Sequence, residues 1–227
     1  MMKNRFIHEI KNECKNTTFI ILCANKSNKK GTNNIPLFTV DGAALIDKQI
    51  GTINSLYLDN EIIIVSGFEH DKLVKHIHKS KYKNVRIIEN SNYKNSTALD
   101  GWRIGLNLCI KSNVYIIHGD RLFTKESIMH NNQKTHLIIN DEDRHNYNLG
   151  ILSSKGTLIN MSYGLPDVWS EIFFIDSSNF DISRKLINNC KQYKIYNIEG
   201  YINTLSKKIR ISTIKKTDSI KNLKDIK

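Results

Sequence analysis

The chain alternates short apolar runs with polar stretches rich in lysine and asparagine, and the spacing within each run assigns its structure. "TFIILCA" at 18–24 is a continuous apolar run with β-branched residues, the pattern of a strand buried on both faces. "GAALIDKQIGTINSLYL" then places Leu45, Ile46, Gln49, Ile50, Ile53 and Leu56 on one helical face. "EIIIVSG" predicts a second buried strand at 61–66, ended by Gly67. "HDKLVKHIHKS" predicts a short helix with Leu73, Val74 and Ile77 inward. "NVRIIEN" reads as a third strand, 97–110 as a helix, and "NVYIIHGD" as a fourth strand ending at Gly119 and Asp120. A short helix is also expected over 1–17, with Phe6, Ile7, Ile10 and Cys14 at roughly helical spacing.

Strand–helix alternation of this kind argues for a parallel sheet covered on both faces. The second half differs. "THLIIND", "NLGILSSKGTLINMSYG" and "SEIFFID" are strand-like with little helix between them, and Lys155 and Gly156 suit a hairpin turn. A helix over 179–192 buries Ile182, Leu186, Ile187 and Cys190. The basic segment 211–227 reads as a lightly docked tail. The expected fold is α/β: a Rossmann-like, mostly parallel sheet sandwiched by helices, with a more β-rich second half. One domain over 18–210 accommodates it.

Composition narrows the class. The 227 residues are 40% hydrophobic and 25% charged, within the range of a globular domain. No apolar run reaches membrane-spanning length, and the N-terminal residues lack the apolar centre of a signal peptide, so a cytoplasmic protein without a membrane partner is expected. The four cysteines form no C-x-x-C pair, which favours reduced thiols over a zinc site. The net charge of +12 has two readings, nucleic-acid binding or a lysine-rich composition spread along the whole chain. The spread favours the second, with attraction of anionic substrates and no nucleic-acid partner.

Asp120 ends a buried strand, at the sheet edge where open α/β sheets bind ligands. A carboxylate there suits Mg²⁺, which takes oxygen ligands and shares them with phosphates; capping of the next segment is the plainer reading. The loop "ANKSNKKG" after the first strand stands where phosphate loops stand, but holds only one glycine, Gly31.

The order of segments resembles the nucleotidyltransferases that activate sugar phosphates and phospho-alcohols, with the nucleotide-diphospho-sugar transferase fold. "CANKSNKK" occupies the position of that family's A-A-G-x-G-x-R loop, and "NIPLFTVDGAALIDKQI" its P-L segment and helix. "VRIIENSNYKNSTALDGWRIGL" is similar to its N-P-x-Y stretch, "VYIIHGDRLF" to its G-D strand, and "EGYINTLSKKI" to its late metal segment. The resemblance implies transfer of a nucleotidyl group from an NTP to a small phosphorylated substrate, with Mg²⁺ on Asp120 and Asn203. It implies Lys29 as a catalytic cation and nucleotide contacts from Ala24, Asn25, Lys26, Ser27, Asn95, Thr97 and Gly101. It implies Glu171 at the second substrate.

The departures are specific. The loop glycines fall on Asn25 and Ser27, the loop arginine on Lys29 or Lys30, and the lysine before P-L on Ile35. Lysine supplies point charge without arginine's bidentate fork, and a solvated lysine-rich loop is an equal reading for each lysine. A catalytically degenerate, nucleotide-binding member of the same fold is therefore the alternative. A sugar-transferring enzyme would want a D-x-D pattern where "HGDRL" has one aspartate.

Overall fold

A computed structural model describes residues 16–25, 34–57, 59–129, 134–140, 149–216 and 220–222. The helix expected over 1–17, the loop residues Lys26, Ser27, Lys29, Lys30 and Gly31, and the polar connection 141–148 lie outside the described residues, apart from Asn16 and Thr17.

The strands are β1 (Thr17–Cys23), β2 (Thr39–Val40), β3 (Ala43–Ala44), β4 (Asn60–Ser66), β5 (Val85–Glu89), β6 (Asn113–His118) and β7 (Arg121–Phe123). They continue with β8 (His136–Asn140), β9 (Leu149–Ser154), β10 (Thr157–Tyr163), β11 (Asp167–Ile175), β12 (Ser212–Lys216) and β13 (Ile220–Asn222). The helices are α1 (Leu45–Leu56), α2 (His70–Ser80), α3 (Ala98–Leu108), α4 (Lys125–Ile128), α5 (Ser177–Asn188) and α6 (Ile198–Ser206).

The main sheet runs β5-β4-β1-β6-β11-β8-β12-β10-β9. Its first four strands are parallel, β1 lying between β4 and β6. β1 shows why its sequence is an unbroken apolar run. Ile20 packs with Trp102 and Leu106 of α3, while Phe19 and Ile21 pack with Ile46, Ile50 and Ile53 of α1 on the other face. Gly105 lets α3 lie close on the sheet: a Cβ there would stand 2.5 Å from Cγ2 of Ile20.

The second half is β-rich, as its patterning predicts. β11 pairs antiparallel with β6, β8 and β9, and β9 pairs with β10, so β11, β8, β12, β10 and β9 close on themselves as a small ring. The β9–β10 turn is built on Lys155 (φ 49°) and Gly156 (φ 69°), consecutive positive φ values suited to a tight hairpin. The C-terminal segment departs from a lightly docked tail. Ser212–Lys216 is an internal strand, parallel to β8 and joined to β10 at Ser212–Thr157. Its alternating "STIKK" has too few apolar residues to announce a buried strand.

His136 on β8 has no solvent exposure. Burial pushes its imidazole down to about 4; the Lys134 carbonyl and Asp176 oppose this, and Lys216 adds to it. The unfolded chain therefore takes up this proton near 6.5 and the folded chain does not, so stability falls as pH drops from 6.5 towards 4. The loss is on the order of 3 kcal/mol. Urea denaturation across that window will show the slope, and His136→Gln should flatten it. Asp176 and Glu171, held below their usual range, lose their contributions only at lower pH.

Candidate active site

Parallel pairing brings the carboxyl ends of β1, β4 and β6 together, with Cys23 opposite Ser66 and Leu22 opposite His118. Just past β6 the chain turns through Gly119 and Asp120. The Gly119 N–H donates to the Leu22 carbonyl at 2.9 Å. A Cβ on Gly119 would lie 2.5 Å from that oxygen and 2.7 Å from the Cys23 sulfur, so the turn requires glycine. Asp120 thus sits at the carboxyl edge, its side chain 26% exposed.

Two clefts meet at this point. The first, about 120 Å³, is lined by Ala24, Asn25, Ile35, Thr97, Gly101 and Asp120 among others. The second, about 420 Å³, is lined by Asp120, Arg121, Tyr163, Trp169, Glu171 and Glu199 among others. Thr97, Ala98, His118 and Asp120 line both.

Glu171 reaches the site through a bulge. β11 advances four residues from Trp169 to Phe173 while β8 advances two, and Glu171 takes φ +63° within the excursion. The Trp169 Nε1–H donates to the Ile172 carbonyl at 3.2 Å, and Ser170 Oγ donates to the Ile138 carbonyl at 2.8 Å, pinning the bulge. Glu171 Oε2 then accepts from Arg121 Nε at 3.0 Å and Nη2 at 2.8 Å, with His118 Nδ1 also 3.0 Å away. Arg121 Nε lies 3.5 Å from Asp120.

This is a compact, nearly charge-balanced group. Burial opposes ionisation of Glu171, but His118 and Arg121 outweigh it and hold the carboxyl well below the usual carboxylate range. Burial pushes the His118 imidazole down; Glu171 and then Asp120 outweigh it, so the net shift is upward. Burial and the Asp120 charge push the Cys23 thiol far up, leaving it an inert packing residue.

Several sequence-predicted residues come together here: Ala24, Asn25, Thr97, Gly101 and Asp120 at the first cleft, and Glu171 with Asp120 at the second. Ile35 also lines the first cleft, so an apolar side chain shares its wall with Ala24 and Asn25. Asn95 is elsewhere, exposed in the 3₁₀ turn Tyr93–Asn95. Asn90 and Ser96 line the cleft instead, joined by a 2.7 Å hydrogen bond from Asn90 Nδ2 to Ser96 Oγ.

Asn203 does not fit the role of a metal ligand. Its Oδ1 accepts from the Met161 N–H at 2.8 Å and its Nδ2 donates to the Met161 carbonyl at 2.8 Å, fastening α6 to β10. It lines neither cleft. Glu199 does, one helical turn earlier on α6, about 6 Å along the axis. Charge was the available signal, since a carboxylate is a better ligand for a hard cation than a neutral amide. Asn203→Ala should cost about 1–3 kcal/mol of stability in urea denaturation. It should leave Mn²⁺ affinity within twofold of the parent; a larger loss would return Asn203 to the site.

The donor set suits a hard divalent cation. His118, Asp120 and Glu171 offer ligand atoms within 4.8 Å of one another. Glu171 is already taken up by His118 and Arg121, which leaves the carboxylates of Asp120 and Glu199 on the second cleft.

A parallel α/β half joined to a β-rich half is also the fold of solved nucleotidyltransferase structures, and this chain shares that fold. Solved structures sharing it include CTP:phosphocholine cytidylyltransferase from Streptococcus pneumoniae, with TM-score 0.75 and 14% identity over 91% of this chain and 93% of that one. The inositol-1-phosphate CTP transferase of T. maritima matches with TM-score 0.69 and 10% identity, over 92% and 89% of the two chains. A nucleoside-diphosphate-sugar pyrophosphorylase from Vibrio cholerae matches with TM-score 0.71 and 11% identity, over 90% and 95%. No protein-family model and no curated protein matches the sequence. No helix among the described residues is long and apolar enough to cross a membrane.

Proposed function

We propose that the protein transfers an NMP group from an NTP to a small phosphorylated acceptor and releases pyrophosphate. The observation that carries this reading is Asp120, one carboxylate lining both of two adjoining clefts at the carboxyl edge of parallel strands. The first cleft takes the nucleotide, against Ala24, Asn25, Ser96, Thr97 and Gly101. Lys26, Ser27 and Lys29 belong to the loop that would face its phosphates. The second cleft takes the acceptor. An acceptor phosphate oxygen attacks the α-phosphorus in line, the new P–O bond forms, and the bond to the pyrophosphate oxygen breaks. The attacking acceptor oxygen is already anionic, so the chain need supply no general base.

Asp120 would hold Mg²⁺, with Glu199 a further carboxylate on the wall of the same cleft, and the ion when bound would neutralise charge on the reacting phosphates. The protein's own part is positioning. Arg121 ties Glu171 beside Asp120, and α3 supplies one wall through its capped N-terminus: Thr97 donates its N–H and Oγ1–H to Asp100 at 2.9 and 3.0 Å. The second cleft is also lined by the exposed rings of Tyr163 and Tyr196, whose faces suit a cationic head group. An amine-bearing phospho-alcohol, of the kind in the name of the pneumococcal neighbour, is therefore the favoured acceptor over the phosphate of an uncharged sugar.

Ile35 in the first cleft favours a second reading, a nucleotide-binding protein without turnover. A pyrophosphate-release screen separates the two. The four NTPs are combined with choline phosphate, ethanolamine phosphate and sugar 1-phosphates in the presence of Mg²⁺. Release with an amine phosphate supports the proposal. Nucleotide binding without release for any pair establishes the second reading.

A further inference from the structure

We propose that Gln49 is a positioning residue that sets the Asp120 carboxylate; the inference rests on the assignment of Asp120 as cation ligand in the proposed function. Gln49 is the polar member of the buried face of α1, with Leu45, Ile46, Ile50 and Ile53 around it, and it is 1% exposed. A buried amide among apolar neighbours is costly unless its hydrogen bonds are made. Its Nε2 makes two, donating to the Arg121 carbonyl at 2.7 Å and the Gly119 carbonyl at 3.3 Å, while its buried Oε1 has no hydrogen-bond partner among the described residues, a cost the two donated bonds must offset.

These two carbonyls bracket Asp120. One amide group thus grips the peptide that leads into Asp120 and, one residue beyond it, the carbonyl of Arg121. Only the NH₂ end can face two carbonyl oxygens, so the amide orientation is fixed by its partners. On β1, the Leu22 carbonyl accepts from the Gly119 N–H. Asp120 is therefore held between α1 and β1 through the backbone of Gly119 and Arg121 on either side of it, and its side chain lines the clefts.

α1 carries a second connection. Its first residues bond back to the cleft-lining segment, Leu45 N–H to the Phe38 carbonyl at 2.8 Å and Ile46 N–H to the Pro36 carbonyl at 3.0 Å. Ile35, next in the chain, lines the first cleft. One short helix thereby fixes the spacing between the nucleotide-side wall and the carboxylate at the junction. A site of this kind depends on supporting residues that hold its ligands within a fraction of an ångström.

The test uses the full chain and Mn²⁺ alone, titrated by electron paramagnetic resonance. Gln49→Met keeps the volume and removes both donors; it should weaken Mn²⁺ binding at least about fivefold. Gln49→Glu, which sets oxygen against two carbonyl oxygens, should weaken it further. Ile50→Val, on the same buried face, should lower the thermal midpoint and leave Mn²⁺ affinity unchanged, which separates positioning from packing. Mn²⁺ affinity within twofold of the parent in a folded Gln49→Met protein overturns the proposal. Should that variant not fold, the same result in Gln49→Asn, whose amide is withdrawn by one methylene, overturns it. A parent protein that takes up no Mn²⁺ sinks the cation assignment of Asp120 and this inference with it. Parent binding with unaffected variants sinks this inference alone.

Discussion

Asp120→Asn should lower nucleotidyl transfer by a factor on the order of a thousand, about 4 kcal/mol of transition-state stabilisation. The substitution is nearly isosteric and removes one negative charge at the meeting point of the two clefts. Among the described residues, the other carboxylates of the second cleft do not replace it. Glu171 is committed to His118 and Arg121, and Glu199 stands on a different element, α6. Asn retains a polar group beside Arg121, and the site is partly solvated, so the fold should persist. Steady-state pyrophosphate release and circular dichroism on the same preparations check both halves. Activity within tenfold of the parent would remove the cation role from Asp120.

Glu171→Gln should act mainly on stability, lowering it by about 3 kcal/mol in urea denaturation near pH 6. The side chain of Arg121 is only 9% exposed and His118 is mostly enclosed, and both lose the carboxylate between them. The pH dependence identifies the cause. His118 is raised above its usual 6.5 by Glu171 and Asp120 against the effect of burial. Its contribution is therefore complete below 6.5 and is lost as pH rises through the raised folded value. In Glu171→Gln the imidazole should titrate lower, and that loss of stability on the alkaline side should shrink. Imidazole shifts followed by nuclear magnetic resonance against pH measure this directly. An unchanged His118 titration would show that Glu171 is not its principal support.

What the chain discloses by itself is whatever depends on near neighbours. β1, β4 and β6 are legible because a strand buried on both faces must be an apolar run, and α1 and α3 because helical spacing collects their apolar residues on one side. Asp120 is legible for the same reason: a carboxylate directly after such a run must emerge at the sheet edge. What needs distant pairing is not legible. The β12 strand is inserted beside β8 by contacts 76 residues apart at Ser212 and His136, and its own residues are too polar to reveal it. Glu171 acquires its place from a bulge, in which two additional residues redirect a side chain that simple alternation would assign by parity. On α6, Glu199 lines the second cleft while Asn203 bonds to Met161 of β10, because one turn of helix decides whether a side chain reaches the cleft or a neighbouring strand. Gln49 shows the same division: its spacing placed it on the buried face of a helix, but only the packed structure supplied the two carbonyls, 70 and 72 residues away, that give a buried amide its purpose.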